Sequence, residues 1–128
     1  MSYIYRLYDE DKNVIYVGKT KGNPKIRVRN HFDLWSIKVR YFDYVKLDEM
    51  NASIYEIYLI NKHRPKYNRQ FKFDDVKILF ELPELEFCDL IYVEDAGVDL
   101  EYYEELYDKL KEMLKIDEEV EKDEKIDM

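Results

Sequence analysis

Two short apolar segments, residues 3–8 and 14–18, stand either side of Asp9, Glu10, Asp11, Lys12 and Asn13, and this spacing leaves the chain few options. Turn-forming residues between two runs rich in Tyr, Ile and Val predict a hairpin of two antiparallel strands. Side chains alternate faces along a strand, so Tyr3, Tyr5 and Leu7 should share one face of the first strand, and Val14 and Tyr16 one face of the second. Both strands then bring a phenol to the same surface. Gly18 should end the second strand where backbone passes close to another group. Beyond it, Asn23 and Pro24 read as the N-cap and first residue of a helix, which sets Arg27 and His31 one turn apart on one face.

Further along, residues 39–47, with Tyr41, Phe42, Tyr44 and Val45, predict a third strand pairing with the hairpin. Asp48 is a suitable N-cap for a helix running to about His63, since Pro65 prevents its continuation. Glu56 is the only charged residue between Ile54 and Ile60. A helix apolar almost all round is expected to be buried, so this carboxylate should be at least partly desolvated. It then needs a partner, a proton or a metal ion. Two more strands are expected at residues 76–82 and 87–93, with a turn at Pro83 and Glu84. After these, Asp99 or a neighbour caps a helix over 100–116, where Leu100, Tyr103, Leu106, Tyr107, Leu110, Met113 and Leu114 recur at helical spacing. Residues 117–128 hold seven acids and two lysines and are expected to be disordered.

At 128 residues the chain suits one domain better than two with sizeable cores. Its only cysteine, Cys88, excludes an internal disulfide and reads as a small packing residue. No apolar run approaches a membrane span, and the N-terminus has no basic-plus-apolar signal, so the expected location is cytoplasmic, with no membrane partner. A net charge of −8 would by itself argue against nucleic acid, but the charge is divided. Residues 1–73 carry 15 Lys and Arg against 8 Asp and Glu, whereas residues 74–128 carry 6 against 21. Phosphate binding depends on local potential, so the basic part remains a suitable nucleic-acid surface. The expected organisation is a basic module over 1–73, an acidic strand-and-helix extension packed on it over 74–116, and an acidic tail over 117–128.

Two tyrosines on a strand pair, a lysine just past a glycine, an Arg and His pair on the next helix and a glutamate on a later one suit phosphodiester chemistry. The sequence resembles the GIY-YIG endonuclease family. Tyr3, Ile4 and Tyr5 match its first tripeptide; Tyr16, Val17 and Gly18 match the second; Arg27 and His31 match its basic helix. The run from Glu56 through Leu59 and Ile60 to Pro65, Tyr67 and Asn68 is similar to the family's last motif. Tyr3 replaces the first glycine, at a strand position that carries no reacting group.

The resemblance implies an α/β fold with a small mixed or antiparallel sheet of about three strands flanked by helices, and metal-dependent cleavage of DNA. Arg27 can clamp non-bridging oxygens through its planar fork. Glu56 can hold one Mg²⁺ or Mn²⁺, and a lone carboxylate suits a one-metal site. By resemblance, one of Tyr5 and Tyr16 takes the proton of the attacking water while the other orients the phosphate. Tyr5 is preferred as the base, and Lys19, Arg27 or the metal would have to lower its pKa from the ordinary phenol value of about 10. His31 is the alternative proton carrier. Asn68 would position loop backbone or a phosphate oxygen near Glu56.

Each assignment has a plainer counterpart. Most of the 13 tyrosines are expected to pack, Arg27 and His31 alone would be a solvated helix face, and Lys19 could simply finish a strand. Glu56 could sit in a buried salt bridge to Arg27 or Lys19, and His63 and Arg64 read as cations at a helix C-terminus. Two other functions compete with an endonuclease. One is a DNA- or protein-binding module that has lost catalysis, against which the intact set Tyr5, Tyr16, Arg27, His31, Glu56 and Asn68 argues. The other is an acidic interaction protein that binds a basic partner. A protein partner or homodimer would be held through the C-terminal extension.

Overall fold

The computed structural model describes residues 1–73, 78–79 and 81–114. Strands β1 (Ser2–Tyr8) and β2 (Val14–Thr20) form the expected hairpin. Strand β3 (Tyr41–Leu47) pairs with the other side of β1, and β4 (Ile91–Tyr92) adds to β3. The sheet is antiparallel throughout, in the order β2-β1-β3-β4, and so has a fourth strand beyond the expected three. Helices α1 (Pro24–His31), α2 (Glu49–His63) and α3 (Leu100–Leu114) complete a mixed α/β fold.

The helix starts follow the sequence closely. Asn23 accepts a hydrogen bond from the Lys25 amide, and Asp48 from the Asn51 amide at 2.9 Å. Each thereby satisfies an amide that the first helical turn leaves without a partner. At the far end of α2, Arg64 adopts a left-handed conformation (φ 51°), and its amide donates to Ile60 O before Pro65 turns the chain away. Asp99 accepts from the Tyr102 amide, as expected of a cap for α3.

The sheet separates two cores. On one face, Tyr5, Leu7 and Phe42 pack with Val28 and Phe32 of the α1 region and with Val93, Ala96, Val98 and Leu100 from the C-terminal part. On the other, Ile4 and Val17 meet Ala52, Tyr55, Leu59 and Ile60 of α2. Val93, at 0% exposure, belongs to the same core as Phe42, so the C-terminal residues help to close the α1 face. Phe32 and Tyr103 meet at a tilt, 4.9 Å between ring centroids, which ties α3 to the end of α1. Only the first half of the α3 apolar stripe is used in this way. Met113 and Leu114 remain exposed.

Several expectations need correction. Val14 and Tyr16 lie on opposite faces, because pairing passes from Leu7 with Tyr16 to Tyr8 with Val14 and leaves Ile15 as an extra residue in a β-bulge. Tyr5 and Tyr16 still share a face. β2 continues through Gly18 to Thr20, and β3 begins at Tyr41 rather than Val39. Helix α2 is not apolar and buried all round: Met50, Ile54 and Ile57 form an exposed stripe. Of the strand expected at 87–93, only Ile91–Tyr92 forms, and Val93–Ala96 winds into a 3-10 turn that Gly97 ends at φ 98°. Within 76–82, Ile78, Leu79, Glu81 and Leu82 are not in a strand, and Val76, Lys77 and Phe80 lie outside the described residues. The last two residues of the helix expected over 100–116, and the tail 117–128, lie outside them as well. Among the described residues, no helix is long and apolar enough to cross a membrane.

Candidate active site

The α1 face of the hairpin opens into a cleft of about 90 Å³ whose lining includes Tyr5, Tyr16, Arg27, His31 and Trp35. Four of the seven candidate residues therefore share one cavity. Tyr5 and Tyr16 lie 6.1 Å apart between ring centroids. Gly18 explains how Tyr5 fits: a Cβ there would fall 2.5 Å from both Cζ and Oη of Tyr5. Any side chain at position 18 would push the phenol off the strand, so the glycine is required by close approach rather than by chain termination.

Arg27 and His31 face each other across one turn of α1, with Nη1 3.0 Å from Nε2. The guanidinium can only donate, so this ring nitrogen accepts. Arg27 Nε is buried and, among the described residues, has no hydrogen-bond partner. A buried donor left in this way costs about 1–3 kcal/mol, which an anionic oxygen would offset.

Glu56, Lys19 and Asn68 are not among the residues that line this cleft: Glu56 lies on α2, which packs on the other face of the sheet, and Lys19 and Asn68 are tied to α2 and to β2 respectively. Lys19 Nζ donates to Ser53 Oγ at 3.0 Å, fixing the lysine on α2 one turn before Glu56. Glu56 is half-buried and, among the described residues, makes no hydrogen bond or ion pair, so neither Arg27 nor Lys19 pairs with it. Burial pushes its carboxyl above the usual glutamate range, and the Lys19 ammonium pulls the other way. An incompletely solvated carboxylate with no bonded partner suits a divalent cation, which prefers oxygen ligands and keeps most of its water. No group of three His, Cys, Asp or Glu converges among the described residues.

Asn68 has a more definite role. Its Oδ1 accepts from Val17 N at 2.8 Å, and its Nδ2 donates to Val17 O at 2.9 Å. The amide thus pairs with the strand between Tyr16 and Gly18 and positions backbone. Tyr16 is pushed up to about 12, first by burial, then by the adjacent Tyr5 and by Glu56, with Arg27 opposing. It therefore keeps its proton at neutral pH and can donate a hydrogen bond.

With this geometry in view, residues 1–68 match the family model described as the GIY-YIG catalytic domain, just over half of the chain. The chain belongs to the GIY-YIG family. Among its relatives, the UvrABC system protein C of Lachnospira eligens is 38% identical over 82 residues, covering 56% of this chain and 13% of that protein. The UvrABC system protein C of Caldicellulosiruptor saccharolyticus is 40% identical over 75 residues (51% and 12%), and that of Rickettsia felis 33% over 97 residues (64% and 15%). The chain thus matches less than a sixth of the length of these relatives. No solved structure matches it. A GIY-YIG nuclease domain accounts for the hairpin, α1 and α2.

Two features of this GIY-YIG chain lay outside the sequence reading. Arg6 makes a two-pronged pair with Asp43, Nε to Oδ1 at 3.0 Å and Nη2 to Oδ2 at 2.6 Å, and Tyr8 Oη donates to the same carboxylate at 2.8 Å. Trp35 stands at the cleft mouth. Its signal was available, since it is the only tryptophan in the chain and lies between an aspartate and a serine that can cap a turn.

Proposed function

We propose that this chain hydrolyses DNA phosphodiester bonds at one active site with the help of a divalent cation, Mg²⁺ or Mn²⁺, on Glu56. The observation that carries the reading is a pair of unsatisfied groups whose charges both act on the Tyr16 hydroxyl: Arg27 Nε, buried without a partner among the described residues, and the Glu56 carboxylate, half-buried without one. Both are suited by a phosphate with its metal.

In this reading Arg27 clamps a non-bridging oxygen and stabilises the charge that builds up on the phosphorus oxygens. Tyr16, which retains its proton, donates to the phosphate and fixes its orientation. Tyr5 takes the proton of the attacking water, with His31 as the rival base. Lys19 adds positive potential beside Glu56, and Asn68 keeps β2 in place. The cation, when bound, supplies Lewis-acid polarisation of the phosphate. The relatives are named as one protein of a UvrABC system, so a protein partner, or a second copy, held by the C-terminal residues belongs to the same proposal.

The first test is cleavage of supercoiled plasmid at low salt with Mg²⁺ or Mn²⁺, comparing the native chain with Glu56→Ala. Low salt matters because phosphate contacts weaken steeply as salt rises. One site cuts one strand at a time, so nicked circles should accumulate before linear product, and the variant should leave the plasmid intact. Linear product from the outset would overturn the single-site monomer. No cutting by the native chain under any of these conditions would favour a binding module. Tyr5→Phe should cost more rate than His31→Ala, and the opposite order would assign the base to His31.

A further inference from the structure

We propose that Trp35 is a stacking platform for an unstacked nucleobase beside the scissile phosphate, which makes single-stranded or locally unpaired DNA the preferred substrate. The proposal rests on the nuclease reading above and adds to it the form of the substrate.

Three observations carry it. First, Trp35 is 46% exposed although it lines the same cleft as Tyr16, Arg27 and His31. Leaving so large an apolar ring in water forfeits burial that it would gain in a core. Second, Trp35 is held firmly. It sits in a 3-10 turn, Leu34–Ser36, closed by a reciprocal cap in which Asp33 Oδ1 accepts from the Leu34 amide at 2.7 Å and Ser36 Oγ accepts from the Asp33 amide at 3.0 Å. Ser36 itself is buried, which anchors the turn. Third, the indole has two aromatic neighbours, both steeply inclined to it: Tyr16 at 5.5 Å between centroids and 61°, and Tyr67 at 6.1 Å and 80°. Neither ring lies parallel to the indole, so neither is stacked on it as a base would be. A rigid aromatic surface can accept a base without the entropy cost of ordering a loop.

The chemistry of the neighbours selects the occupant. Arg27 offers its donors to a phosphate, and the indole stands beside Tyr16, so a base attached to the bound phosphate lies within reach of it. Bases have π-faces that stack on aromatic side chains with little sequence preference. Inside a duplex both faces of a base are already covered, and only a base released from its neighbours can present one.

The test uses the full chain carrying Glu56→Gln, so that DNA is bound and not consumed. Since the chain has one tryptophan, its fluorescence, excited where tyrosine does not absorb, reports on position 35 alone. Oligothymidine should quench it, a fully paired duplex should quench it much less, and a duplex with an unpaired bulge should restore the effect. A chain of abasic sugar phosphates should bind, as followed by anisotropy, without quenching. In the cutting-competent chain, Trp35→Ala should lower kcat/KM on single-stranded oligonucleotide by about ten- to a hundredfold, with a loss severalfold smaller on duplex, and Trp35→Phe should recover most of it. Thermal unfolding of both variants shows whether the fold is kept. Binding of oligothymidine without quenching, or equal losses on both substrates, would overturn the platform and leave the nuclease reading standing. No binding of any oligonucleotide would overturn both. A blue shift of the emission as the chain self-associates, with no response to DNA, would mark a protein contact instead.

Discussion

Asp43 and Glu56 are both acids removed from bulk water, yet the molecule treats them in opposite ways. Asp43, 3% exposed, is met by both prongs of Arg6 and by the Tyr8 hydroxyl, in register across β1 and β3. Three donors on two oxygens leave it little capacity for anything else. Burial and Asp43 together push the Tyr8 hydroxyl well up, so this phenol stays a donor. Glu56, on α2, has only the field of Lys19. A carboxylate that the fold has satisfied is part of the scaffold. One that the fold leaves half-buried and unpaired is available for a ligand, and perturbed groups of that kind gather at functional sites.

The contrast predicts a hierarchy of effects. The largest belongs to Glu56→Gln, which should slow single-turnover nicking by about a thousandfold, the several kcal/mol that losing a metal ligand removes from the transition state. Thermal unfolding of the same variant should show no loss of stability, and a rate within tenfold of native would break the comparison at its functional end. Asp43→Ala should do the reverse. It leaves the Arg6 guanidinium without its partner and should cost about 3 kcal/mol, near the low end for buried pairs because Arg6 keeps some exposure. Denaturant titration reads this loss, and activity per folded molecule should hold. Asn68→Ala removes two bonds to Val17 and should cost about 1–2 kcal/mol together with a severalfold loss of rate, since Tyr16 sits next to the strand it secures. Rate loss without stability loss would mean that Asn68 touches substrate.

The smallest effect is a pH dependence. The Glu56 carboxyl is raised in the folded chain, so the fold holds more protons there than the unfolded chain does. Its contribution to stability is present at acid pH and is lost as pH rises through the raised value. Glu56→Gln should therefore unfold at a slightly higher temperature than the native chain at neutral pH, with the gap closing below the glutamate range. Adding Mg²⁺ should close it from the other side by stabilising the native chain alone.

Local signals account for what the sequence made legible. Asn23, Pro24 and Asp48 act on the amides nearest to them, and Pro65 on the turn just before it, so both helices begin and α2 ends where their residues indicate. The shared face of Tyr5 and Tyr16, their meeting with Arg27 and His31, and the partial burial of Glu56 were legible too. What escaped depends on register between distant segments. Arg6 and Asp43 are 37 positions apart, and nothing near either announces the other. The Ile15 bulge has no glycine or proline to mark it. Residues 87–93 have the composition of a strand, but along β3 only Ile91 and Tyr92 pair, with Phe42 and Tyr41, and Cys88 adds a single amide bond to Tyr44 O before the chain winds into the Val93–Ala96 turn. The exposed stripe of α2 failed for a related reason: apolar residues all round a helix indicate burial only if there is protein on every side.

The Asn68 contact has one more consequence. β2 is an outer strand, and an outer strand presents unpaired amides and carbonyls to any chain that meets it. At Val17, next to Tyr16, both backbone groups are already taken by a single side chain that imitates a neighbouring strand. One asparagine thus acts as a stopper against edge-to-edge association, letting the protein be concentrated without its sheets joining.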